Sequence, residues 1–561
     1  MQRKGRVLLN IKHGGHILEE KSQRAAELAE SQETFTLAED AVVSEVTFET
    51  PFDYLFPKLV GDPAAHLPAD NPAGMVAALN ALGDAMLEEP AQAGGELQPT
   101  GNSTIPPVYT YWGQFIDHDL TANTDRDSEV SDITKDGLAP LDPAFVVANL
   151  KNLRQPTLNL DSVYGDGPTF DAGSPTEAAG FYDGVRFKIG PVATQDIPGA
   201  RIPPEDDLLR DLPRVGKLAQ IADARNDENL IVAQLHTAFL RFHNAAVDWV
   251  EAHEPASAGD APRLFERARQ LTRWHHQWLV VHDYLKTVAR AGVADRILLG
   301  GAKHYRPHGD RPFMPLEFSV AAYRFGHTMV RAAYDHNRNF GRPGGLLPRA
   351  DFVLLFQFTG KGFPEPFLGQ ADVLPSNWVI EWDRFVDKGS PLPDRFARKI
   401  DTVLAPPLSD MVNEGNAEPD PMIKALLKNL ARRNLLRGYL LSLPTGQGVA
   451  GEMGVAPLSG DELRQGNGAA VNQVLEENGL LERTPLWFYV LKEAEVRSNG
   501  NTLGELGSRI VCETIIGQLL HDPESYLNAQ SGWDPSEGVK LPGGDPVVTI
   551  ADFIRFAGLP A

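Results

Sequence analysis

The chain has 561 residues with 52 basic and 75 acidic side chains, which gives a formal charge of −23 at pH 7. A surface this acidic repels nucleic acid and anionic membranes, so we expect neither as a partner. Cys512 is the only cysteine, which excludes an internal disulfide. No apolar run reaches the length of about eighteen residues that a membrane helix needs, and the N-terminus lacks the apolar core of a signal peptide. We therefore expect a cytoplasmic protein without a membrane span.

Residues 1–100 are predicted to form an arm that packs on the main body. This stretch is polar at first and then holds one apolar segment, 51–60, and a short alanine-rich helix, 74–87. Length alone would suggest roughly three or four domains, but the linkers needed to separate them are missing. Residues 101–561 are therefore predicted to form a single domain.

Helical periodicity dominates this second part, where apolar residues recur at the spacing of a helix. The predicted helices span 230–252, 263–291, 423–440, 461–478, 485–495 and 506–520. The connections between helices are long and rich in Gly, Pro and Asp, as at 161–199 and 341–393. Loops of this length usually have ligand contacts of their own. The pattern predicts a mainly α fold with long loops and little β structure.

The segment Trp112–Leu120 places polar groups within a stretch that otherwise predicts a buried helix. Gln114 and His118 lie four residues apart, so both project from one helix face, and Asp117 lies at the edge of that face. Asp119 points elsewhere. Such groups are costly to bury without a purpose. A single histidine in a helix is nevertheless more often a core residue held by a carboxylate, so this segment alone decides nothing.

Three further segments carry polar and charged residues of the same kind. They are DARNDEN at 223–229, AYRFGHTM at 322–329 and RRNLLRG at 432–438. Together with WGQFIDHDLT at 112–121 and DSVYG at 161–165, they resemble the animal haem peroxidases of the peroxidase–cyclooxygenase superfamily, in a form typical of bacterial members. The resemblance extends from about 106 to 520 and implies one large helical haem-peroxidase domain over 101–561.

The resemblance implies that His327 is the proximal ligand of a haem iron. The second nitrogen of such an imidazole needs an acceptor, and Asn434 matches the family residue that supplies it. Arg437 follows three residues later on nearly the same helix face. Arg437 and Arg324 match residues that would pair with the haem propionates.

The resemblance also implies a distal side of the haem. His118 would be the base that takes a proton from hydrogen peroxide and delivers it to the leaving oxygen. Arg225 would stabilise the charge that develops as the O–O bond breaks, and Gln114 would bind distal water or an anionic donor. The implied activity is a peroxidase that reduces hydrogen peroxide, oxidises halide, pseudohalide or phenolic donors, and serves in the response to oxidative stress.

Asp117 and Glu228 match residues that form ester bonds to haem methyl groups in mammalian members. Two simpler interpretations stay open: Glu228 as a first-turn acid that favours the helix dipole, and Asp117 as the partner of a nearby donor. Asn229 follows Glu228 where one mammalian member has a methionine joined to a haem vinyl group. The resemblance therefore implies haem b, ester-linked through Asp117, Glu228 or both, without that third link.

Asp119 matches a calcium ligand of the family. Calcium favours several oxygens from a loop with alternating side-chain and carbonyl donors. Thr157, Asn159 and Asp161 have this alternation just before the tyrosine and glycine of DSVYG. The loop is two residues shorter than in the mammalian proteins, so Ser162 is a further candidate for the last ligand.

Three other functions compete with the peroxidase. A fatty-acid dioxygenase of the same superfamily would use a tyrosyl radical three residues before the proximal histidine, whereas Tyr323 lies four before His327. A haem-free protein that keeps the fold is disfavoured because both key histidines are present. A nonhaem metal hydrolase built on the consecutive residues 117–119 is disfavoured because neighbours on a helix cannot converge on one ion. The electron donor and the oligomeric state stay open.

Overall fold

The computed structural model describes residues 50–88, 101–122, 130–171, 173–193, 208–307, 312–341, 344–347, 349–360, 373–412, 414–530 and 532–561. Helices make up most of its regular structure, and its strands are only two to four residues long. The predicted mainly α fold class is confirmed. In the part of the chain that is described, no helix is both long and apolar enough to cross a membrane.

The longer α-helices carry the buried core. They are Pro72–Ala85, Val108–Leu120, Leu230–His253, Ala261–Leu279, Leu430–Leu440, Leu486–Ser498 and Glu505–His521. The shorter α-helices are Pro143–Asn149, Asp161–Tyr164, Pro255–Ala258, Leu285–Val288, Val293–Gly300, Asp383–Val386, Pro421–Lys428, Gly446–Met453, Gly460–Arg464, Ala469–Glu477 and Ile550–Phe556.

Short 3-10 and π-helices connect these elements. The 3-10 helices are Pro63–Ala65, Glu177–Phe181, Ala224–Asp227, Ala322–His327, Phe352–Phe356, Ser376–Trp378, Pro393–Arg395, Pro406–Leu408, Tyr526–Asn528 and Pro535–Glu537. The π-helices are Val280–Tyr284 and Glu317–Ala321.

Leu230–His253 is the central helix of the core. Residues 230–240 are all buried, as expected for a segment with apolar residues on every side. Asn229 begins the helix, because its side chain accepts a hydrogen bond from the Val232 backbone N–H at 3.0 Å. The helix packs against Ala261–Leu279 on one side and Val108–Leu120 on another. It therefore supports the segment that holds His118.

Three of the predicted helices are interrupted. The segment 263–291 contains the π-helix Val280–Tyr284 between two α-helical parts. The continuous helix predicted over 423–440 is wrong, because Asn429 ends one helix and caps the next through the Arg432 backbone N–H. The continuous helix predicted over 461–478 is also wrong: Gly466, with a φ of +78°, lies between two short helices.

The described part of the predicted arm, 50–88, contacts the main body along its length. Strand Thr50–Asp53 pairs antiparallel with Lys151–Asn152 and parallel with Met314–Pro315. The described residues also form three two-stranded antiparallel sheets, which pair Tyr182–Asp183 with Arg186–Phe187, Arg214–Val215 with Leu218–Ala219, and Ala333–Tyr334 with Ala350–Asp351. The predicted boundary at residue 100 stays a prediction, since 1–49 and 89–100 lie outside the described residues.

Glu317 attaches the arm to the segment that leads to His327. The side chain is fully buried and accepts hydrogen bonds from the backbone N–H groups of Leu55 at 2.8 Å and Phe56 at 3.3 Å. Burial raises the pKa of Glu317 to about 7. The folded chain therefore holds a proton here, between about pH 4.5 and 7, that the unfolded chain has lost.

We expect Glu317→Gln to remove part of the pH dependence of stability. A raised carboxyl pKa makes the wild type lose stability as the pH rises through this window, by about 2 to 3 kcal/mol between pH 5 and pH 8. The neutral amide has no such loss. Urea unfolding of both proteins at pH 5 and pH 8 measures the difference, and equal changes in the free energy of unfolding would contradict the expectation.

Candidate active site

The helix Val108–Leu120, which we call the His118 helix, is buried along most of its length. Gln114 and Asp117 are its partly exposed residues, and they lie three apart on one face. His118 and Asp119 are fully buried at 0% exposure. The helix thus has one accessible polar face, with the imidazole buried beside it.

Asn226 holds the imidazole of His118. Nδ1 of His118 lies 2.8 Å from Oδ1 of Asn226, and both side chains are fully buried. An amide oxygen at this position requires the proton on Nδ1, which leaves Nε2 as the basic nitrogen of the ring. Asn226 lies in the 3-10 turn Ala224–Asp227, which packs against the His118 helix. We did not predict this role for Asn226 from the sequence. The signal available was its position directly after Arg225.

Arg225 lies at the C-terminal end of the His118 helix. Nη2 donates to the carbonyl oxygen of His118 and Nη1 to that of Thr121, both at 2.8 Å. Nε and Nη2 also donate to the carboxylate of Asp223. Four of the five guanidinium N–H groups are thereby used, and the cation stabilises the negative end of the helix dipole. That Arg225 stabilises the charge that develops as the O–O bond of peroxide breaks stays a prediction.

A chain of buried charges connects Arg225 to the segment predicted to bind calcium. Asp223 also accepts a hydrogen bond from Arg154, whose Nη1 lies 3.7 Å from Oδ1 of Asp161. Burial alone would raise the pKa of Asp223, but Arg154 and Arg225 hold it well below its usual range. Arg154 thus binds the Arg225 turn to the loop that carries Asp161. Neither Arg154 nor Asp223 was predicted as a site residue.

Asp119 lies against the same loop. Its carboxylate accepts hydrogen bonds from the Leu160 backbone N–H at 3.0 Å and from the Ser162 hydroxyl at 2.9 Å. Burial and the nearby charge of Asp161 raise the pKa of Asp119 to about 7. The structure therefore brings Asp119, Asp161 and Ser162 together, as a cation site requires.

Two other predicted loop ligands bind protein groups. The carbonyl of Thr157 accepts a hydrogen bond from Gln277 Nε2 at 3.2 Å. Oδ1 of Asn159 accepts one from the Asp161 backbone N–H at 3.0 Å. The intervening Leu158 and Leu160 have φ values of +51° and +61°, a left-handed conformation that costs about 1 kcal/mol or more for each. Backbone strain of this kind concentrates at functional loops.

Gln114 connects the His118 helix to the two residues before the central helix. Its Nε2 donates to Oε2 of Glu228 at 3.1 Å, and its Oε1 accepts from Nδ2 of Asn229 at 3.2 Å. Asn229 caps the central helix, so Glu228 precedes that helix. The interpretation of Glu228 as an acid in the first turn of the helix is therefore wrong. Asp117 accepts a hydrogen bond from the Thr121 hydroxyl at 2.8 Å. Both candidate ester residues thus lie near the accessible face.

His327 ends the 3-10 helix Ala322–His327, which we call the His327 turn. His327 and Gly326 are partly exposed, and a Cβ built on Gly326 would meet no atom within 4 Å. The turn packs against the His118 helix. The structure therefore places the two predicted key histidines on neighbouring elements, with open space beside one of them.

Asn434 contacts His327 as the sequence predicts, but with the opposite end of its amide. Nδ2 of Asn434 lies 2.9 Å from Nδ1 of His327, while Oδ1 accepts a hydrogen bond from Arg324 Nη1 at 3.0 Å. Arg324 also donates from Nε to the carbonyl of Ser319 at 2.9 Å. The predicted acceptor role of Asn434 would require Arg324 to move and the amide to turn over. Arg437, one turn further along the helix Leu430–Leu440, is fully buried.

The three consecutive residues 117–119 do not converge. Asp117 bonds to Thr121, His118 to Asn226 and Asp119 to Ser162. Across the described ranges, no three His, Cys, Asp or Glu side chains gather as a metal site. The positions of residues 117–119 therefore do not support the nonhaem metal hydrolase.

Sequence comparison finds proteins that are similar to part of this chain. Residues 188–345 match the animal haem peroxidase family. This span includes Arg225, Glu228 and His327. Mouse eosinophil peroxidase (Mus musculus) is 27% identical over 326 residues, which cover 50% of this chain and 44% of that protein. Matches of this kind span less than half the length of the curated relatives.

Two solved structures align with most of this chain at low sequence identity. Peroxidase A from Dictyostelium discoideum has 15% sequence identity and a TM-score of 0.49, covering 86% of this chain and 89% of that one. The fatty acid alpha-dioxygenase of Arabidopsis thaliana has 15% identity and a TM-score of 0.46, covering 90% of this chain and 76% of that one.

Proposed function

We propose that this chain is a haem peroxidase that reduces hydrogen peroxide and oxidises small halide, pseudohalide or phenolic donors. The observation that carries the proposal is a pair of imidazoles, each held through Nδ1 by an asparagine amide. His118 contacts Asn226 at 2.8 Å and His327 contacts Asn434 at 2.9 Å, on two elements that pack together. The Asn226 contact leaves Nε2 of His118 as the basic nitrogen, and an Asn434 amide turned over to accept from Nδ1 would leave Nε2 of His327 as the nitrogen that binds iron.

The residues around His327 fit a haem. The open space beside Gly326 allows a flat group to approach the backbone, and the neighbouring His327 is partly exposed. Arg324 donates a hydrogen bond to Asn434, and Arg437 lies one turn further along the helix that carries Asn434. These two cations suit the two propionates of a haem. When bound, the haem supplies the iron at which peroxide is reduced and the oxidising power that reaches the donor.

His118 performs the proton transfer in this proposal. Nε2 accepts a proton from the attacking oxygen of hydrogen peroxide and returns it to the leaving oxygen, which departs as water. Asn226 keeps the ring in the tautomer that can do this. Arg225 holds the helix end through the His118 carbonyl and adds a permanent positive charge near the breaking bond. Gln114, fixed between Glu228 and Asn229, orients water or an anionic donor.

Steady-state turnover distinguishes this activity from its alternative within the superfamily. We expect turnover of bromide, thiocyanate or a phenol that depends on peroxide, and no oxygen uptake with a polyunsaturated fatty acid in the absence of peroxide. Oxygen uptake with the fatty acid, together with loss of that uptake in Tyr323→Phe, would favour the dioxygenase. A haem-free chain would show neither reaction.

Covalent attachment of the haem is predicted from Asp117 and Glu228. Asp117 lies on the accessible face of the His118 helix, where Thr121 orients it, and Glu228 is buried beside that face, where it accepts a hydrogen bond from Gln114. After treatment with peroxide, acid–acetone extraction should leave haem on the wild-type polypeptide. The double variant with Asp117→Asn and Glu228→Gln should release all of its haem. Complete extraction from the wild type would contradict any ester bond.

Calcium is predicted to bind at Asp119 and Asp161 and to stabilise the fold. Their two carboxylates and the Ser162 hydroxyl are oxygen ligands of the kind that Ca²⁺ prefers, with Thr157 and Asn159 in the same loop. At about a hundred times its Kd, calcium should raise the melting temperature of a chain of this length by about 2 °C. Asp119→Asn should abolish this rise, whereas Asp132→Asn, which changes a carboxylate bonded to Thr134, should keep it. Equal shifts in all three proteins would contradict the site.

The bacterial origin, the cytoplasmic location and the absence of nucleic-acid partners stay predictions from the sequence. The location is proposed from the single cysteine. The charge of −23 supports the expectation about nucleic acid.

A further inference from the structure

Three tyrosines form a buried row between the His327 turn and the surface. The ring centroids of Tyr323 and Tyr284 lie 6.5 Å apart, and those of Tyr284 and Tyr109 lie 6.4 Å apart with the rings stacked at 20°. All three side chains are buried, with exposures of 6%, 1% and 3%. Neighbouring aromatic rings at this separation are close enough for direct electron transfer.

The inner end of the row lies at the proposed haem site. Tyr323 belongs to the same turn as His327, four residues before it. The hydroxyl of Tyr284 lies directly against the His118 helix, since a Cβ on Gly113 would be 2.5 Å from it. Burial raises the pKa of Tyr323 and Tyr284, and the Asp117 charge adds to the effect.

Two π-helices place the inner phenols. Tyr284 is the last residue of the π-helix Val280–Tyr284, and Tyr323 is the second residue after the end of the π-helix Glu317–Ala321. A π-helical turn departs from the favoured α-helical hydrogen bonding and is found mostly at functional sites. Both irregular turns in the described part of the chain thus serve the same row of rings.

The outer end of the row has a proton acceptor and lies just below the surface. The Tyr109 hydroxyl donates to Oδ1 of Asp283 at 2.7 Å. Lys388 Nζ lies 5.0 Å from the centroid of the Tyr109 ring, and 56% of the Lys388 side chain is exposed. Burial and Asp283 raise the pKa of Tyr109, so this phenol stays protonated and must lose its proton when it is oxidised. Asp283 can take that proton.

We propose that Tyr323, Tyr284 and Tyr109 carry electrons from donors at the Lys388 surface to the haem site, so that the protein also oxidises phenols too large to reach His118. His118 is fully buried, which excludes direct contact with a bulky donor. This inference rests on the proposed peroxidase function and extends its donor class to phenolic groups on large molecules.

The reaction balances with hydrogen peroxide as the oxidant. One hydrogen peroxide and two phenols give two waters and two phenoxyl radicals. For each electron, the radical moves outward from Tyr323 through Tyr284 to Tyr109, and the proton of Tyr109 passes to Asp283. The donor phenol then gives an electron to Tyr109 while Asp283 returns the proton, which restores the Tyr109 hydroxyl and the Asp283 carboxylate. The proton of the donor phenol goes to solvent, and the haem site takes up one proton from solvent for each electron that it receives.

The experiment traps the radical on the haem-loaded protein. Wild type, Tyr284→Phe and Tyr111→Phe are treated with peroxide and a nitroso spin trap, and the adduct is located by mass spectrometry. Tyr111 is a matched control, because it is a buried tyrosine of the same helix that packs against Tyr334 at 5.7 Å and lies outside the row. We expect an adduct on Tyr109 in the wild type and in Tyr111→Phe, and its loss in Tyr284→Phe.

Turnover gives a second measurement on the same proteins. A phenol tethered to dextran should be oxidised more slowly by Tyr284→Phe and Tyr109→Phe, by about tenfold or more, with iodide oxidation unchanged within about twofold. A haem-loaded chain that reacts with peroxide but carries no Tyr109 adduct, or keeps the adduct in Tyr284→Phe, overturns the inference alone. A chain that binds no haem overturns the proposed function and this inference with it.

Discussion

His327→Ala is expected to lose haem binding while the chain stays folded. The imidazole is predicted to supply the bond from the protein to the iron, and His327 is the only histidine of the His327 turn. Loss of an outer-shell partner already lowers metal affinity by about 10- to 100-fold, so loss of the ligand itself should lower haem affinity by at least about a hundredfold. Titration with haem, followed by the Soret band, measures the change.

His304→Ala is the matched control for this prediction. His304 is also a partly exposed histidine, but it contacts Arg509 and Phe56 away from the His327 turn. We expect normal haem affinity in this variant. A Soret band of wild-type position and intensity in His327→Ala would contradict the assignment of the proximal ligand. The far-ultraviolet circular dichroism of both variants shows whether they are folded.

The second large effect is expected from His118→Gln. The variant should bind haem normally but should react with hydrogen peroxide about a hundredfold to ten-thousandfold more slowly, because proton transfer by a positioned base contributes about this factor. Glutamine keeps an N–H that can reach Asn226 but has no basic nitrogen. Stopped-flow measurement of the Soret change after mixing with peroxide gives the second-order rate constant directly.

His236→Gln controls for the loss of a buried imidazole near the same helix. His236 is fully buried, and its ring lies 6.0 Å from that of Phe115. Burial lowers the pKa of His236 to about 3, so it is neutral at working pH, and it has no predicted role at the site. We expect its rate constant with peroxide to stay within about threefold of the wild type. An unchanged rate constant in His118→Gln would contradict the assignment of His118 as the base that accepts the peroxide proton.

Local sequence patterns were sufficient to predict the main elements of the site. The His118 helix was predicted from apolar periodicity, and it runs from Val108 to Leu120. The contact between His327 and Asn434 followed from the resemblance, although the two residues are 107 positions apart. The spacing predicts Gln114 and His118 on one face with Asp117 at its edge; in the structure Gln114 and Asp117 are partly exposed, whereas His118 is fully buried.

The remaining features depend on contacts between distant segments. Asn226 reaches His118 across 108 positions, and Arg154 reaches Asp223 across 69, so no local pattern marks either pair. The direction of the Asn434 amide is set by Arg324, which the sequence placed only at a propionate. The break at Asn429 was missed because a side-chain cap outweighed the apolar periodicity on both sides of it.

Haem titration of the purified wild-type chain is the most direct test of the two-histidine site. We expect one haem to bind per chain and to give a Soret band. Adding hydrogen peroxide should change this band, and the change should be slower in His118→Gln. Absence of a Soret band after reconstitution with haem would contradict the assignment of a haem site to His118 and His327.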